Sequence, residues 1–485
     1  MAGVQENLPL LNSTRDAEQA SSRKRLRVLV LVGAVVLAVT LVVFSFASSS
    51  GKNPRIVSFK HAYNTYRETF GFNGVAQVTE NGTTVFRVSD GLANEEFDVA
   101  MQPDCLFPIG SNSKLFTSVA LYQLEEAGRV NLSDPVNNWL KQDDFVQFGY
   151  PNQTKWCPRL ANSTDDSPCE EITFVQLLHM SSGIGDSVNC DNVDPEHCYR
   201  SAEDLAYYKG SIGVYVGRFI NDPLVFKPGT NYSYANPNFV LLSYLVEKIS
   251  GQSFGGYLKE HIFDKLDLKD TIYDPYAGAL SVNHRVVDEY RNFFIQGDGD
   301  EKPRLVLTGT CSPLISSGAV SGSGGLKGTV NDLERWYTDL FHNRGRQSKL
   351  LSAESIRKIV TRTNPVSPTY AQGVAVRGVT EDDWPEAVMY CGGVKCTATC
   401  IAMLVANPES SIVSTSFSNH ANVVFPSQEA LDQYHPDVFM YNPPESVNIT
   451  SSDSGGAMEL LQEFMKAYVY AQTPMLWKVV PILYQ

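Results

Sequence analysis

A helix that is apolar on almost every side is stable only in the middle of a folded domain. The chain has one in Leu115-Phe116-Thr117-Ser118-Val119-Ala120-Leu121, continuing through Leu124 and stopped by Gly128. With no polar stripe to turn toward water, this helix obliges the rest of the domain to wrap around it. Directly before it stands Phe107-Pro108-Ile109-Gly110-Ser111-Asn112-Ser113-Lys114. Ser111 and Lys114, three apart at a helix start, share one face, so the amine can reach the hydroxyl. The unpaired N–H groups and positive dipole end of a first turn favour negative charge on Ser111 and disfavour a charged Lys114. They also make the N–H of Ser111 a natural oxyanion donor. Ser-x-x-Lys alone is a common spacing, and the plainer reading has Ser111 as a helix N-cap.

A chain of 485 residues, 43% hydrophobic and 11% aromatic, has ample material for a core around such a helix. The net charge of -14 argues against a nucleic-acid partner, whose affinity comes chiefly from Lys and Arg on phosphates. Residues 1–27 run against this excess, with five basic residues and three acidic ones. They precede Val28 to Ala47, an uncharged apolar run long enough to cross a bilayer as a helix. Arg23, Lys24, Arg25 and Arg27 flank that run on its N-terminal side only. Positive charge inside therefore predicts a type II anchor: a cytosolic tail at 1–27, a transmembrane helix at 28–47 and a translocated body. A cleaved signal peptide is the alternative, disfavoured by the length of the run and by the polar leader before it.

In a lumenal or extracellular body, Asn81, Asn131, Asn152, Asn162, Asn231 and Asn448 stand in glycan-acceptor sequons. The nine cysteines become disulfide candidates there: Cys157 with Cys169, Cys190 with Cys198, and pairing among Cys391, Cys396 and Cys400. No Cys-x-x-Cys or neighbouring histidine supports a zinc site in the last three, so no metal is expected. Glu6-Asn7-Leu8-Pro9-Leu10-Leu11 resembles the acidic dileucine signals of endosomal, lysosomal and vacuolar membrane proteins. A polar linker at 48–55 leads to the folded body at 56–420, and residues 421–485 form a C-terminal extension.

Within the body, Gly74-to-Thr79 and Thr84-to-Ser89 alternate about Asn81-Gly82 and predict a β-hairpin. Ile172-to-Gly183 reads as a short helix closed by a Ser-Ser-Gly turn. Asn236-Pro237 reads as the N-cap and first residue of a helix reaching Ser250. Leu333, Trp336 and Leu340 mark one stripe of a further helix after the Gly/Ser-rich segment at 316–328. Two β-rich ends around a helical middle give an α+β arrangement.

Several of these stretches, in order, resemble the serine β-lactamase and penicillin-binding-protein superfamily, in particular its class C-like branch of esterases and peptidases. Ser111-Asn112-Ser113-Lys114 matches the first motif and Tyr234-Ala235-Asn236 the second, Tyr-x-Asn. Leu177-to-Gly183 resembles the branch's Leu-Leu-Thr-His-Thr-Ser-Gly turn, with Met180 where its histidine usually stands. Tyr244-to-Phe254 and Gly324-Gly325-Leu326 with Asn331-Asp332-Leu333 resemble two later elements. The resemblance covers roughly residues 58–420. It implies an antiparallel sheet flanked by helices with an inserted, mostly helical subdomain, and an acyl-enzyme on Ser111. Lys114 and Tyr234 would share the acid-base work, and Asn236 would hydrogen-bond Lys114 or a substrate amide. The alternative role of Tyr234 is a core aromatic; His179 is read as structural.

The third motif departs from the family. Where Lys-Thr-Gly or His-x-Gly is usual, this chain has Tyr390-Cys391-Gly392-Gly393. The cation that would meet a substrate carboxylate is missing, while Gly392 keeps a close backbone approach and the N–H of Gly393 keeps the second oxyanion donor. Tyr390, Gly392, Gly393 and Asn236 are thus the expected substrate contacts. The expected partner is a small-molecule or peptide acyl compound, with no cofactor, and nothing in the sequence indicates an oligomeric state. The rival reading is a pseudoenzyme that keeps the fold as a binding or assembly module.

Overall fold

The computed structural model describes residues 73–424 with gaps, the longer ones at 188–207, 274–284, 296–303 and 311–317. The expected anchor at Val28 to Ala47, the dileucine motif, the Cys190/Cys198 pair and nearly all of the C-terminal extension lie outside the described residues. Among the described residues no helix is long and apolar enough to cross a membrane.

The predicted hairpin is β1 (Gly74–Glu80) and β2 (Thr83–Asp90), turned through Asn81 and Gly82 at φ 50° and 73°. That two-residue turn needs positive φ at both positions, which Asn-Gly tolerates best. Further along lie the short strands β3 (Phe107–Pro108), β4 (Ile272–Tyr273) and β5 (Leu326–Gly328), which form a small sheet in the order β3-β5-β4. Then come β6 (Ala375–Arg377), β7 (Ala387–Val394), β8 (Thr397–Leu404) and β9 (Ile412–Ser418). The main sheet runs β6-β7-β8-β9-β1-β2, antiparallel at every pairing. β1 is buried along nearly its whole length, because it lies inside the sheet with Gly74 paired to Ser418 on one side and Asp90 on the other.

Helix α1 (Ser113–Glu126) is the central helix that the sequence requires: all but Gln123, Glu125 and Glu126 are buried. Each large apolar side chain taken from water here contributes roughly 1.5–3 kcal/mol. Four more helices matter for the site: α2 (Phe174–Leu178), α3 (Asn236–Ser250), α4 (Val330–Phe341) and α5 (Ala353–Val360). α3 packs against α1, and α4 lies on β9, β8 and β1. The predicted stripe of α4 is buried, and Trp336 stacks on Phe116 of α1 with centroids 4.0 Å apart and planes 5° from parallel. α1 is therefore held between the sheet-covering helix and the helical middle of the chain, giving the mixed fold of antiparallel sheet and helices.

One boundary differs from expectation. α3 is capped by Ala235, not by Asn236, and makes no side-chain cap bond. Asn236 is its first residue, and its side chain is committed elsewhere, as described below. Two of the expected cystine pairs are present, Cys157–Cys169 and Cys391–Cys400, the latter joining directly opposed residues of β7 and β8. Cys105 is an unpaired, buried thiol.

Candidate active site

The chain enters the site on β3 and makes one 3-10 turn, Gly110–Asn112, before α1 begins. Gly110 sits at φ 50°, and a Cβ there would stand 2.9 Å from the nitrogen of Gly393. A Cβ on Gly392 would stand 1.9 Å from the carbonyl oxygen of Ile109 and 2.9 Å from the nitrogen of Ser111. Only glycines let β7 press this closely on the serine turn. The approach sets the backbone of Gly392 and Gly393 directly against the turn that carries Ser111. Pairing between β6 and β7 ends at Met389, and among the described residues the β7 edge from Tyr390 onward carries no further strand of the main sheet.

The residues around Ser111 anchor the turn from below. Asn112 donates to the Thr399 carbonyl at 2.9 Å and to Ile109 O at 3.1 Å, and the Thr399 hydroxyl also donates to Ile109 O. Ser113 accepts from the backbone N–H of Leu326 on β5. Each residue of the Ser-Asn-Ser-Lys stretch thus has its own task, two of them purely structural.

Lys114 is completely buried. Its Nζ lies 3.0 Å from Ser111 Oγ, 2.8 Å from Asn236 Oδ1 and 2.8 Å from the Ser323 carbonyl oxygen. It also sits 4.8 Å from the centroid of the Tyr234 ring and 5.8 Å from that of Phe239. An ammonium has three N–H bonds, and three oxygens receive them. Two of these are carbonyl oxygens that can only accept, so they always take an N–H. The third is a hydroxyl. In the ammonium state Lys114 donates to Ser111, and as a neutral amine it accepts the Ser111 proton in the same position. On the other side, the Tyr234 hydroxyl lies 2.6 Å from Ser111 Oγ. The serine hydroxyl is held between two groups that can exchange its proton, the arrangement required for an activated nucleophile.

Tyr234 and Asn236 are presented by a loop seated on the turn after α2. Ser233 N–H donates to Met180 O and Gly229 N–H to Ser181 O, while Asn238 bonds Ser182 and the main chain of Ala235. Met180, in the left-handed region at φ 58°, points its carbonyl at this loop. Asn236 Nδ2 and backbone N–H both face the carboxylate of Asp186, each at 3.3 Å. Three further tyrosines gather at Tyr234. Tyr370 stands edge-on to it at 6.3 Å, Tyr232 at 5.7 Å from Tyr370, and Tyr390 at 6.2 Å from Tyr370. The half-buried Tyr390 brings its hydroxyl to that of Tyr234. Burial, then the neighbouring tyrosine hydroxyls, hold its phenol well above the usual range, so it stays neutral.

All seven sequence-derived site residues therefore meet in one place. His179 does not join them: it is buried, with Nε2 3.1 Å from Gln372 Nε2, and burial pushes its pKa down to about 4. Reasoning from sequence missed Asp186, Tyr370 and the Ser323 carbonyl. The last acts through the main chain and leaves no side-chain signal. Among the described residues no group of three or more His, Cys, Asp or Glu side chains is placed to hold a metal ion.

Comparison with known proteins gives a consistent result. A family model described as Beta-lactamase matches residues 62–434. Protein flp of Staphylococcus aureus (strain MW2) is 24% identical over 299 residues, 61% of this chain and 51% of that protein. Penicillin-binding protein 4* of Bacillus subtilis (strain 168) is 24% identical over 293 residues, 58% of this chain and 55% of that one. The chain thus spans about half the length of the curated relatives it matches. Among solved structures, a penicillin binding protein from Bacillus halodurans superposes with a TM-score of 0.54 at 20% identity, covering 78% of this chain and 98% of that one. At that identity the likeness shows the fold.

Proposed function

Because the chain belongs to the Beta-lactamase family, whose members are serine hydrolases, we propose that it hydrolyses neutral esters or amides, peptides included, through an acyl-enzyme on Ser111. The observation that carries this reading is the Ser111 hydroxyl held between Lys114 Nζ and Tyr234 Oη, with the other two positions of Lys114 taken by carbonyl oxygens. In the first half-reaction the Ser111 proton passes to the Lys114 and Tyr234 pair as Oγ bonds to the acyl carbon. The oxyanion is met by the N–H groups of Ser111 and Gly393, and the pair returns the proton to the departing alcohol or amine. Water then repeats the sequence and releases the acid. The open β7 edge from Tyr390 supports a substrate that lays an amide or ester backbone alongside it.

A neutral substrate class follows from the third motif. A substrate carboxylate buried here without the family's cation would remain unpaired, which costs on the order of several kcal/mol, roughly a thousandfold in rate. The acidic chain also repels anions. A fluorophosphonate probe tests the whole reading: the protein is expected to be labelled, and Ser111→Ala to abolish the labelling. An unlabelled wild-type protein would leave the alternative, a binding or assembly module motivated by the altered third motif.

The membrane placement belongs to the same proposal. Val28 to Ala47 anchors the body on the lumenal or extracellular side, of the endosomal, lysosomal or vacuolar system if the dileucine motif is read. Asn81, Asn131, Asn152 and Asn231 are exposed sequon asparagines. Treating the cellular protein with an N-glycosidase is expected to increase its gel mobility; unchanged mobility together with cytosolic protease sensitivity of the body would reverse the orientation.

A further inference from the structure

We propose that Asp186 is a positioning residue of the acyl-transfer centre, acting on Lys114 through the side-chain amide of Asn236. The inference deepens the serine-hydrolase reading and rests on it. Asp186 is completely buried, and its two carboxylate oxygens lie 3.3 Å from the Asn236 backbone nitrogen and 3.3 Å from Asn236 Nδ2. The other end of the same amide, Oδ1, receives a hydrogen bond from Lys114 at 2.8 Å.

The chemistry of the two neighbours gives this chain its direction. The two ends of a primary amide are nearly the same shape, so packing alone hardly tells them apart. A carboxylate is an acceptor without hydrogens, and it accepts only the NH2 end. With Nδ2 turned to Asp186, Oδ1 must face Lys114. If the amide turned over, its N–H bonds would point at the lysine and its oxygen at the carboxylate, and both contacts would be lost. Lys114 would then keep only the Ser323 carbonyl to orient it, and its third position would no longer be aimed at Ser111 Oγ. The second bond from Asp186, to the backbone N–H of Asn236, fixes the first residue of α3 as well. That contact satisfies one of the helix-start N–H groups, which would otherwise be buried unpaired. Asp186 follows closely on the Ser181-Ser182-Gly183 turn on which the Tyr234 loop is seated, so one short segment orders both the tyrosine and the asparagine.

The test is a double-mutant cycle on kcat and KM for a short-chain nitrophenyl ester, using the full chain, Asp186→Asn, Asn236→Ala and the double variant. Asp186→Asn keeps the shape and removes the acceptor-only character. It is expected to lower kcat by roughly 10- to 100-fold, as a misdirected reacting group does, with KM changed by less than about threefold. In the Asn236→Ala background the same substitution should cost less than about twofold, because the amide through which it acts is gone. Losses that multiply across the two positions overturn the proposal and leave Asp186 a purely structural carboxylate. Should Asp186→Asn fail to give a cooperative melt, Asp186→Ser, which is smaller and can accept one of the two bonds, takes its place in the cycle with the same expectation. Fluorophosphonate labelling separates the two levels of inference. No labelling of the wild-type protein removes the hydrolase reading itself. A labelled wild type with Asp186→Asn reacting at the same rate removes only the role of Asp186.

Discussion

The two walls of the Ser111 site differ in how closely they keep to what acyl transfer demands. On the helical wall the Lys114 amine meets Ser111, Asn236 and Ser323, and the Asn236 amide meets Asp186. On the strand wall the backbone keeps its close approach at Gly392, but the side chain in the cation's position is a neutral tyrosine engaged with Tyr234. Under the proposed function, the difference assigns proton transfer and substrate choice to separate elements. The helical wall surrounds the Lys114 amine with three oxygens at 2.8–3.0 Å, which leaves little latitude in geometry. In the proposed mechanism the strand wall acts through a backbone N–H, so its side chain can be exchanged without touching that step.

The comparison is broken most severely at Lys114. Lys114→Arg keeps charge and approximate bulk, but a guanidinium does not deprotonate and its planar fork does not fit three convergent acceptors. Acylation is expected to fall by roughly a thousandfold or more, at the upper end of general-base effects, read as the fluorophosphonate labelling rate. A near-normal rate would take the base role away from Lys114.

A smaller and differently directed effect is expected on the strand wall. Tyr390→His places a titratable cation where the family carries one. It should leave kcat/KM for a neutral ester within about tenfold while raising the cephalosporin-to-ester ratio by about tenfold or more, about 1.4 kcal/mol of discrimination. If the wild-type protein already turns over the cephalosporin as fast as the ester, the argument from the missing cation fails. If Tyr390→His instead abolishes both activities, the two walls are not separable, and the Tyr390 contact with Tyr234 belongs to the proton-transfer unit.

Much of the helical wall was legible before any fold was known. The resemblance to the family's second motif singled out Tyr234 and Asn236, while Ser111 and Lys114 are three apart, so local backbone geometry places that pair. The hairpin of β1 and β2 was legible for the same reason, through Asn81-Gly82. The start of α3 was misjudged because Asn next to Pro is a strong capping signal, and local propensity cannot show that Lys114 and Asp186 compete for the side chain and win it. Asp186 was overlooked because one carboxylate after a Ser-Ser-Gly turn is unremarkable until Asn236, 50 positions later, is seen beside it. Tyr370 sits on no recognisable motif, and Ser323 contributes a carbonyl oxygen that any residue possesses.

What the sequence determined by itself is the material of the site: an apolar helix that must be central, a serine and a lysine on one face of its start, and a strand segment with two glycines and no cation. Tertiary structure alone decided which of these meet. The turn carrying Ser111 is tied to β8 by a hydrogen bond between residues 287 positions apart, and Lys114 receives a carbonyl oxygen from 209 positions away. Such contacts have no local propensity behind them. They exist because burying α1 between α3, α4 and the sheet leaves one packed arrangement in which its polar start is satisfied, and a buried amine must find its acceptors inside that arrangement or lose the fold.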